Sequence, residues 1–183
     1  MNQEKIILGV DPGTNVLGYG LIQTNGKQMS LITLGVLKLE KYDDHTKRLK
    51  TIFEHILQLI DNYHPDEMSI EAPFYGKNVQ SMLKLGRAQG VCMAAGLYRN
   101  VPIKEYAPRK IKQSVTGQGS ASKEQVAAML KTLLKFDEKD IPLDATDGLA
   151  AAVCHHFNQG ADSTKGSYSS WSAYVKKNPG KVS

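Results

Sequence analysis

Hydrophobic and polar positions follow two rhythms along this chain. Ile6-Ile7-Leu8-Gly9-Val10 is a short apolar run that predicts a buried strand over residues 5–11, and further strands are predicted over 18–24 and 29–39, with Asn25-Gly26 supplying a hairpin turn. The period then changes. Leu49, Ile52, Phe53, Ile56, Leu57 and Ile60 recur at helical spacing over 46–63, and 67–71 returns as a short inner strand. A long helix is expected over 79–99, a fifth strand over 101–106, a helix over 122–135 and a last helix over 145–158. Ser122-Lys123-Glu124-Gln125 forms a capping box for the third of these helices. Three opening strands followed by helix–strand alternation predict an α/β fold, a five-stranded mixed sheet with helices on both faces.

The rhythm ends near residue 158. Residues 160–183 are rich in Ser, Gly and Lys and show no apolar period; they hold four lysines against Asp162. The expected organisation is one domain over 1–158 and a flexible basic tail over 159–183, serving either as a solvated extension or as an arm that contacts a partner. At 183 residues the chain is long enough for one well-packed core.

The net charge of +5 fits an anionic partner, though the excess outside the tail is small because acids mask part of the basic surface. Cys92 and Cys154 stand in apolar helical contexts without metal-type spacing, so buried free thiols in a reducing compartment are expected. No signal pattern or long apolar span is present, which predicts a cytoplasmic protein with no membrane partner.

Four acids stand where chemistry is expected. Asp11 and Glu71 each close an apolar strand, at the edge where open α/β sheets bind ligands. Asp144 and Asp147 are three apart in an alanine-rich run, on one face of a helix's first turn. Asp11 before Pro12-Gly13 also suits a turn, and Asp144 a cap, but Glu71 before Ala72-Pro73 has neither role. Together the four would repel unless a cation lay among them. Hard oxygen donors suit Mg²⁺ or Mn²⁺, and two such ions roughly 3.5–4 Å apart cut phosphodiesters.

Cations and an aromatic accompany them. Lys104, Arg109, Lys110 and Lys112 cluster against Glu105, and Lys123 follows the Gly117-Gln118-Gly119 loop at the start of a helix whose amides could hold phosphate. Phe74 lies three residues after Glu71, between Pro73 and Gly76, as either a base-stacking aromatic or a loop residue folded onto the core. Gly86, Gly90 and Gly96 in the long helix permit close helix contact, within the chain or with a second copy. His155 and His156 read as residues that compensate the dipole of the last helix.

These strings, in order, resemble the RuvC family of bacterial Holliday junction resolvases, within the RNase H-like nuclease superfamily. The matching segments are Gly9-Val10-Asp11-Pro12-Gly13, Glu71-Ala72-Pro73-Phe74, the run from Tyr106 to Gln113, the run from Thr116 to Ala121, and the run from Asp144 to Ala150. The resemblance covers residues 5–158 and implies an RNase H-like fold. It further implies a homodimer that nicks opposing strands of a four-way DNA junction symmetrically, leaving 5′-phosphate and 3′-hydroxyl ends. By the same resemblance, Asp11, Glu71, Asp144 and Asp147 hold two Mg²⁺ ions, for which Mn²⁺ substitutes, with Asp11 bridging them. Lys112 and Lys123 are then catalytic cations beside the scissile phosphate and Phe74 wedges into the junction, a task Tyr75 could share; the charge cluster adds Arg109 and Lys110 as candidate DNA contacts. A short cognate sequence at the crossover and the branch-migration partners RuvA and RuvB are likewise implied. Some members carry His where this chain has Asp144. Gly148 replaces a common Ala, which would slacken the helix by about 0.8–1 kcal/mol.

Other functions fit less well. Asp11-Pro12-Gly13-Thr14 followed by Gly18-Tyr19-Gly20 also resembles the first phosphate loop of actin-like ATPases, but no second lobe fits in the chain and Gly117-Gln118-Gly119 lacks a P-loop ending. A non-catalytic junction-binding module would not retain four acids that repel DNA. A nuclease of the same superfamily acting on RNA–DNA hybrids is separable by substrate preference.

Overall fold

The computed structural model of the protein describes residues 4–73, 78–136 and 141–159. Phe74, Tyr75 and the tail from Gly160 onward lie outside these described residues.

The chain opens with strands β1 (Glu4–Asp11), β2 (Val16–Asn25) and β3 (Gln28–Lys38), then helix α1 (His45–Tyr63) and strand β4 (Glu67–Glu71). Helix α2 (Val79–Tyr98), strand β5 (Ile103–Tyr106) and helices α3 (Pro108–Thr116), α4 (Lys123–Leu134) and α5 (Leu143–Asn158) complete it. The sheet order is β3-β2-β1-β4-β5. β1–β2 and β2–β3 are antiparallel, whereas β1–β4 and β4–β5 are parallel, so the sheet is mixed as its sequence predicts. Gly26, at φ 60°, turns the hairpin between Asn25 and Gln28, a conformation that glycine adopts without steric cost.

Period-two alternation in β1 feeds two cores. Leu8 and Val10 join Ile52, Ile56 and Cys92 beneath α1 and α2, while Ile7 joins Leu130, Leu149 and Val153 beneath α4 and α5. Helices therefore cover both faces. The capping box expected from sequence is present: Ser122 and Gln125 exchange capping bonds at α4, with the Ser122 N–H donating to Gln125 Oε1 at 2.8 Å. Asp44 accepts from the Thr46 N–H at 2.9 Å to start α1.

Helix α3 is the element that apolar period alone does not announce. Pro108 occupies its first turn, Ile111 and Val115 point inward, and Gly117 closes it at φ 79°. These signals lie in a segment whose density of cations suggests a loop.

Glycines let α5 lie directly on the sheet. A β-carbon on Gly148 would stand 2.5 Å from the Tyr19 backbone, and one on Gly18 would stand 1.8 Å from the Asp144 carbonyl oxygen. Gly148 thus has a packing role that its low helix propensity conceals. Ser69 of β4 adds a buried bond, donating from Oγ to the Ala151 carbonyl at 2.7 Å.

Candidate active site

The carboxylates meet at the C-terminal ends of the two central parallel strands. Val10 pairs with Ile70, so Asp11 and Glu71, one residue further along, leave adjacent strands at the same level. Helix α5 begins just above them. Its N-cap is Pro142, with no side-chain cap, so Asp144 is not consumed in capping and instead accepts a bond from Lys123. Asp147 lies one turn further in, its side chain 15% exposed against 46% for Asp144.

A cleft of about 210 Å³ brings Asp11, Glu71 and Asp147 together with Lys112 of α3 and Lys123 of α4. Pro108, Ile111, Val126 and Ala150 form its apolar wall. A smaller opening of about 70 Å³ reaches Asp11 and Glu71 from the other side, between Pro12, Pro73, Leu85 and Gln89. The two acids thus stand at a waist between two concavities, the form expected for a strand laid across the site.

Electrostatics mark the acids as a set. Burial raises the Asp11 carboxyl to about 8, and the nearby Glu71 and Asp147 push it the same way. Glu71 is raised to about 7, again first by burial and then by Asp147. Burial also lifts Asp147, against the pull of Lys123. The Lys123 ammonium bonds to Asp147 and, at 3.2 Å, to Asp144. Partial burial opposes its charge, yet these bonds outweigh that and hold its pKa above the usual lysine value.

Among the described residues no three acidic, imidazole or thiol side chains form a closed metal cage as they stand. The Lys123 ammonium instead occupies the position between Asp144 and Asp147 where a cation belongs, a stand-in positive charge for the one that four converging carboxylates require. The donor set fits hard divalent ions: oxygen only, anionic, and partly desolvated.

Of the six catalytic residues expected from sequence, Asp11, Glu71, Asp147, Lys112 and Lys123 line one cleft and Asp144 joins them through Lys123. Arg109 and Lys110 do not line it. Arg109 packs on the α3–α4 loop, where a β-carbon on Gly119 would lie 2.6 Å from its Cγ, and Lys110 is exposed. Phe74 and Tyr75 lie outside the described residues. Cys92 and Cys154 are free and buried, as expected.

Two contributors are not evident from sequence. Gln89 is a buried amide on an otherwise small and apolar helix face, donating to Glu105 Oε2 at 2.7 Å while lining the smaller opening. Arg48 donates from Nη1 to the Thr14 carbonyl at 2.8 Å and to Asn15 Oδ1 at 2.6 Å, fixing the turn that follows Asp11. His155 is more than a dipole partner: its Nδ1 shares a 2.8 Å bond with the Tyr106 hydroxyl and its Nε2 a 2.5 Å bond with Glu67, at the sheet end opposite the acids.

A family model described as crossover junction endodeoxyribonuclease RuvC matches residues 7–155. A crossover junction endodeoxyribonuclease RuvC of Christiangramia forsetii is 60% identical over 182 residues, covering 100% of this chain and 95% of that protein. One from Cytophaga hutchinsonii is 62% identical over 179 residues, covering 98% and 88%. The solved structure of Thermus thermophilus RuvC in complex with Holliday junction substrate superposes with a TM-score of 0.80 at 28% identity, covering 86% of this chain and 96% of that one.

Proposed function

This chain belongs to the RuvC family of crossover junction endodeoxyribonucleases, and from that membership we propose that it resolves four-way DNA junctions by paired, symmetric, metal-dependent nicks, in recombination and DNA repair. One observation carries the reading: Asp11, Glu71, Asp147, Lys112 and Lys123 share a single cleft at the strand ends.

Asp11, Glu71, Asp144 and Asp147 would hold two Mg²⁺ ions, for which Mn²⁺ would substitute. When bound, the ions supply a water of lowered pKa and an electrophile for the leaving 3′ oxygen. The chain's own groups do the rest. Glu71 from β4 and Asp147 from α5 would complete the ligand set beside Asp11. Lys112 lies on the cleft wall as a cation for the non-bridging oxygens. Lys123, bonded here to Asp144 and Asp147, would be a second cation for the phosphate once metal neutralised those carboxylates. The apolar wall of Ile111 and Val126 limits access of bulk water.

Arg109, Lys110, Phe74 and Tyr75 belong to the same reading as contacts to the junction, Phe74 as the wedge that unstacks a base. RuvA and RuvB are its proposed partners. A domain over 1–158 followed by the extension 159–183 is supported by α5 ending at Asn158 and by the family match ending at residue 155. Self-association is supported by α2, where Val79, Leu83 and Leu97 are exposed and β-carbons on Gly86 and Gly90 would meet nothing within 4 Å. Gly96, by contrast, packs inward on Ile103 and Met68. A second copy laid along this stripe gives a two-fold dimer with two clefts, one for each nick.

The test is cleavage of a mobile four-way junction, a matched duplex and an RNA–DNA hybrid in Mg²⁺ by the wild type, Asp11→Asn and Glu71→Gln. Paired nicks confined to the junction, lost in both variants while junction binding persists, are expected. Binding without nicks in the wild type, or hybrid cleavage without junction preference, would overturn the reading.

A further inference from the structure

Among the described residues, Glu71 is paired on one side of the sheet only. The pairing of β1 with β4 ends at Val10 and Ile70, whereas the pairing of β4 with β5 runs one residue further, to Glu71 opposite Tyr106. The Ala72 N–H then donates to the Tyr106 carbonyl at 2.9 Å, and Pro73, with no N–H to give, ends the ladder. The level at which Glu71 stands beside Asp11 is therefore set by β5. That strand is four residues long and lies at the edge of the sheet, so side chains must supply the hold that a second neighbouring strand gives elsewhere.

Two side chains do so, on opposite faces of the strand. On the α5 face the Tyr106 hydroxyl shares a 2.8 Å bond with His155 Nδ1. On the α2 face Glu105 Oε2 accepts from Gln89 Nε2 at 2.7 Å. The inward residues of α2 are otherwise small and apolar, Ala88, Cys92, Ala95 and Gly96, yet Gln89 among them is only 7% exposed. Burying an amide carries a desolvation cost that an aliphatic side chain of the same size does not, and the bond to Glu105 offsets it. The two anchors differ in where they stand. His155 reaches Glu67 at the far end of β4, whereas Gln89, with Leu85 and Pro73, lines the smaller opening over Asp11 and Glu71. Leu85 and Gln89 are one turn apart on α2, off the stripe of Leu83, Gly86 and Gly90.

We propose that Gln89 is a positioning residue for Glu71: by tying α2 to the last residues of β5, it holds the end of β4 at the level that sets Glu71 beside Asp11. The inference rests on the metal-dependent reading above and deepens it by naming what keeps two of the acids in place. Gln89 acts through the backbone, from Glu105 to Tyr106 and across the last rung to Ala72, and its bond is spent on Glu105 rather than on substrate. Groups that orient a metal ligand from behind govern how well the set of ligands closes on an ion, although they never touch it.

The test measures Mg²⁺ binding to the full chain without DNA, by isothermal titration calorimetry, beside thermal melting in EDTA. Gln89→Leu nearly keeps the side-chain volume and removes the bond, and its Mg²⁺ dissociation constant should rise about tenfold, the lower end of the range for groups that orient a metal ligand. Glu105→Gln retains an acceptor for Gln89 and should keep the wild-type affinity. Glu105→Ala, at an exposed position where folding is not at risk, should repeat the loss seen in Gln89→Leu. His155→Ala removes the anchor on the other face of β5 and should lower the melting temperature with Mg²⁺ affinity unchanged. Wild-type affinity in Glu105→Ala, or in a folded Gln89→Leu, would overturn the positioning role. So would an equal loss in Glu105→Gln or in His155→Ala, which would trace the effect to charge or to general loosening of β5. A wild type that takes up no Mg²⁺ would instead overturn the metal-dependent function on which the inference rests.

Discussion

Gly9 of β1 lies against Gly148 of α5 with no room for a side chain between them. A β-carbon built on Gly9 would stand 2.2 Å from the Gly148 carbonyl oxygen and 2.4 Å from the Ala152 amide nitrogen. β1 carries Asp11 and α5 carries Asp144 and Asp147, so this contact sets the distance between the acids. Gly9→Ala must displace backbone rather than a flexible side-chain end. Overpacking of this kind costs typically 1–3 kcal/mol, occasionally more, and we expect about 3 kcal/mol here. Thermal melting should show the loss. Cleavage below the melting transition should also fall, because α5 is lifted away from Asp11; a variant that melts early yet cleaves normally would separate the packing from the site.

Lys123 plays two parts that a substitution should pull in opposite directions. Its ammonium neutralises Asp144 and Asp147, and in the proposed reaction it serves as a cation beside the scissile phosphate. Lys123→Gln removes a competitor for the carboxylates, so the Mg²⁺ concentration needed for half-maximal thermal stabilisation should fall. Single-turnover cleavage at saturating Mg²⁺ should nevertheless slow by roughly 10²–10³, the usual loss for a donor aimed at developing charge. A drop in rate with no change in metal demand would place Lys123 outside the metal's way.

The acids were legible in the sequence because strand ends and a helix start are local features, and their order along the chain matched a family. What escaped notice is tertiary. Gly148 reads as a weak helix residue until Tyr19 is seen beneath it. Arg48 reads as a solvated residue of an amphipathic helix until its partners at Thr14 and Asn15, 34 and 33 residues away in sequence, appear. Helix α3 was hidden because its two inward residues, Ile111 and Val115, are too few for periodicity to reveal. His155 shows the same limit, since Glu67 lies 88 residues away.

His155 allows a control at the far end of the sheet. Its imidazole joins Glu67 to the Tyr106 hydroxyl, and Lys5 and Gln159 also donate to Glu67, each at 2.6 Å. His155→Ala removes one hydrogen bond to the Tyr106 hydroxyl and one to Glu67, at a cost of roughly 0.5–1.5 kcal/mol each. Urea titration should report the loss. Junction cleavage at 25 °C should stay near wild type, since none of these groups borders the cleft; a large fall in rate would mean that the strand ends are coupled through β4.

Metal and pH are linked through Asp11 and Glu71. Both carboxyls are raised in the folded protein, to about 8 and about 7, above their unfolded values. A carboxyl whose folded pKa is raised disfavours the charged form, so without metal the folded state loses stability as pH climbs from the ordinary carboxylate range through 8. Divalent ions need both groups ionised and supply the missing counter-charge, so binding releases protons. Metal-free protein should therefore melt lower at pH 9 than at pH 6, and saturating Mg²⁺ should raise the midpoint more at pH 9. Equal Mg²⁺ shifts at the two pH values would mean that these carboxyls are already ionised below pH 6.

The exposed stripe on α2 predicts the coupling of the two nicks. Leu83, in the second turn of α2, is 58% exposed and shares a face with Gly86 and Gly90, whose missing side chains leave room for a facing helix. Leu83→Glu should cost the free monomer little, because the side chain has few contacts to lose, but it sets two charges against each other across a two-fold axis. Sedimentation should show a dimer for the wild type and a monomer for the variant. Resolution of a plasmid-borne cruciform then becomes diagnostic: two clefts acting in one complex convert it to linear product, whereas isolated subunits release it after a single nick. Leu83→Glu should accordingly accumulate nicked circles, and the melting temperature should stay near that of wild type diluted below its dimerisation constant. If linear product persists in the monomeric variant, each subunit completes both nicks by rebinding, and the dimer would serve binding rather than symmetry of cleavage.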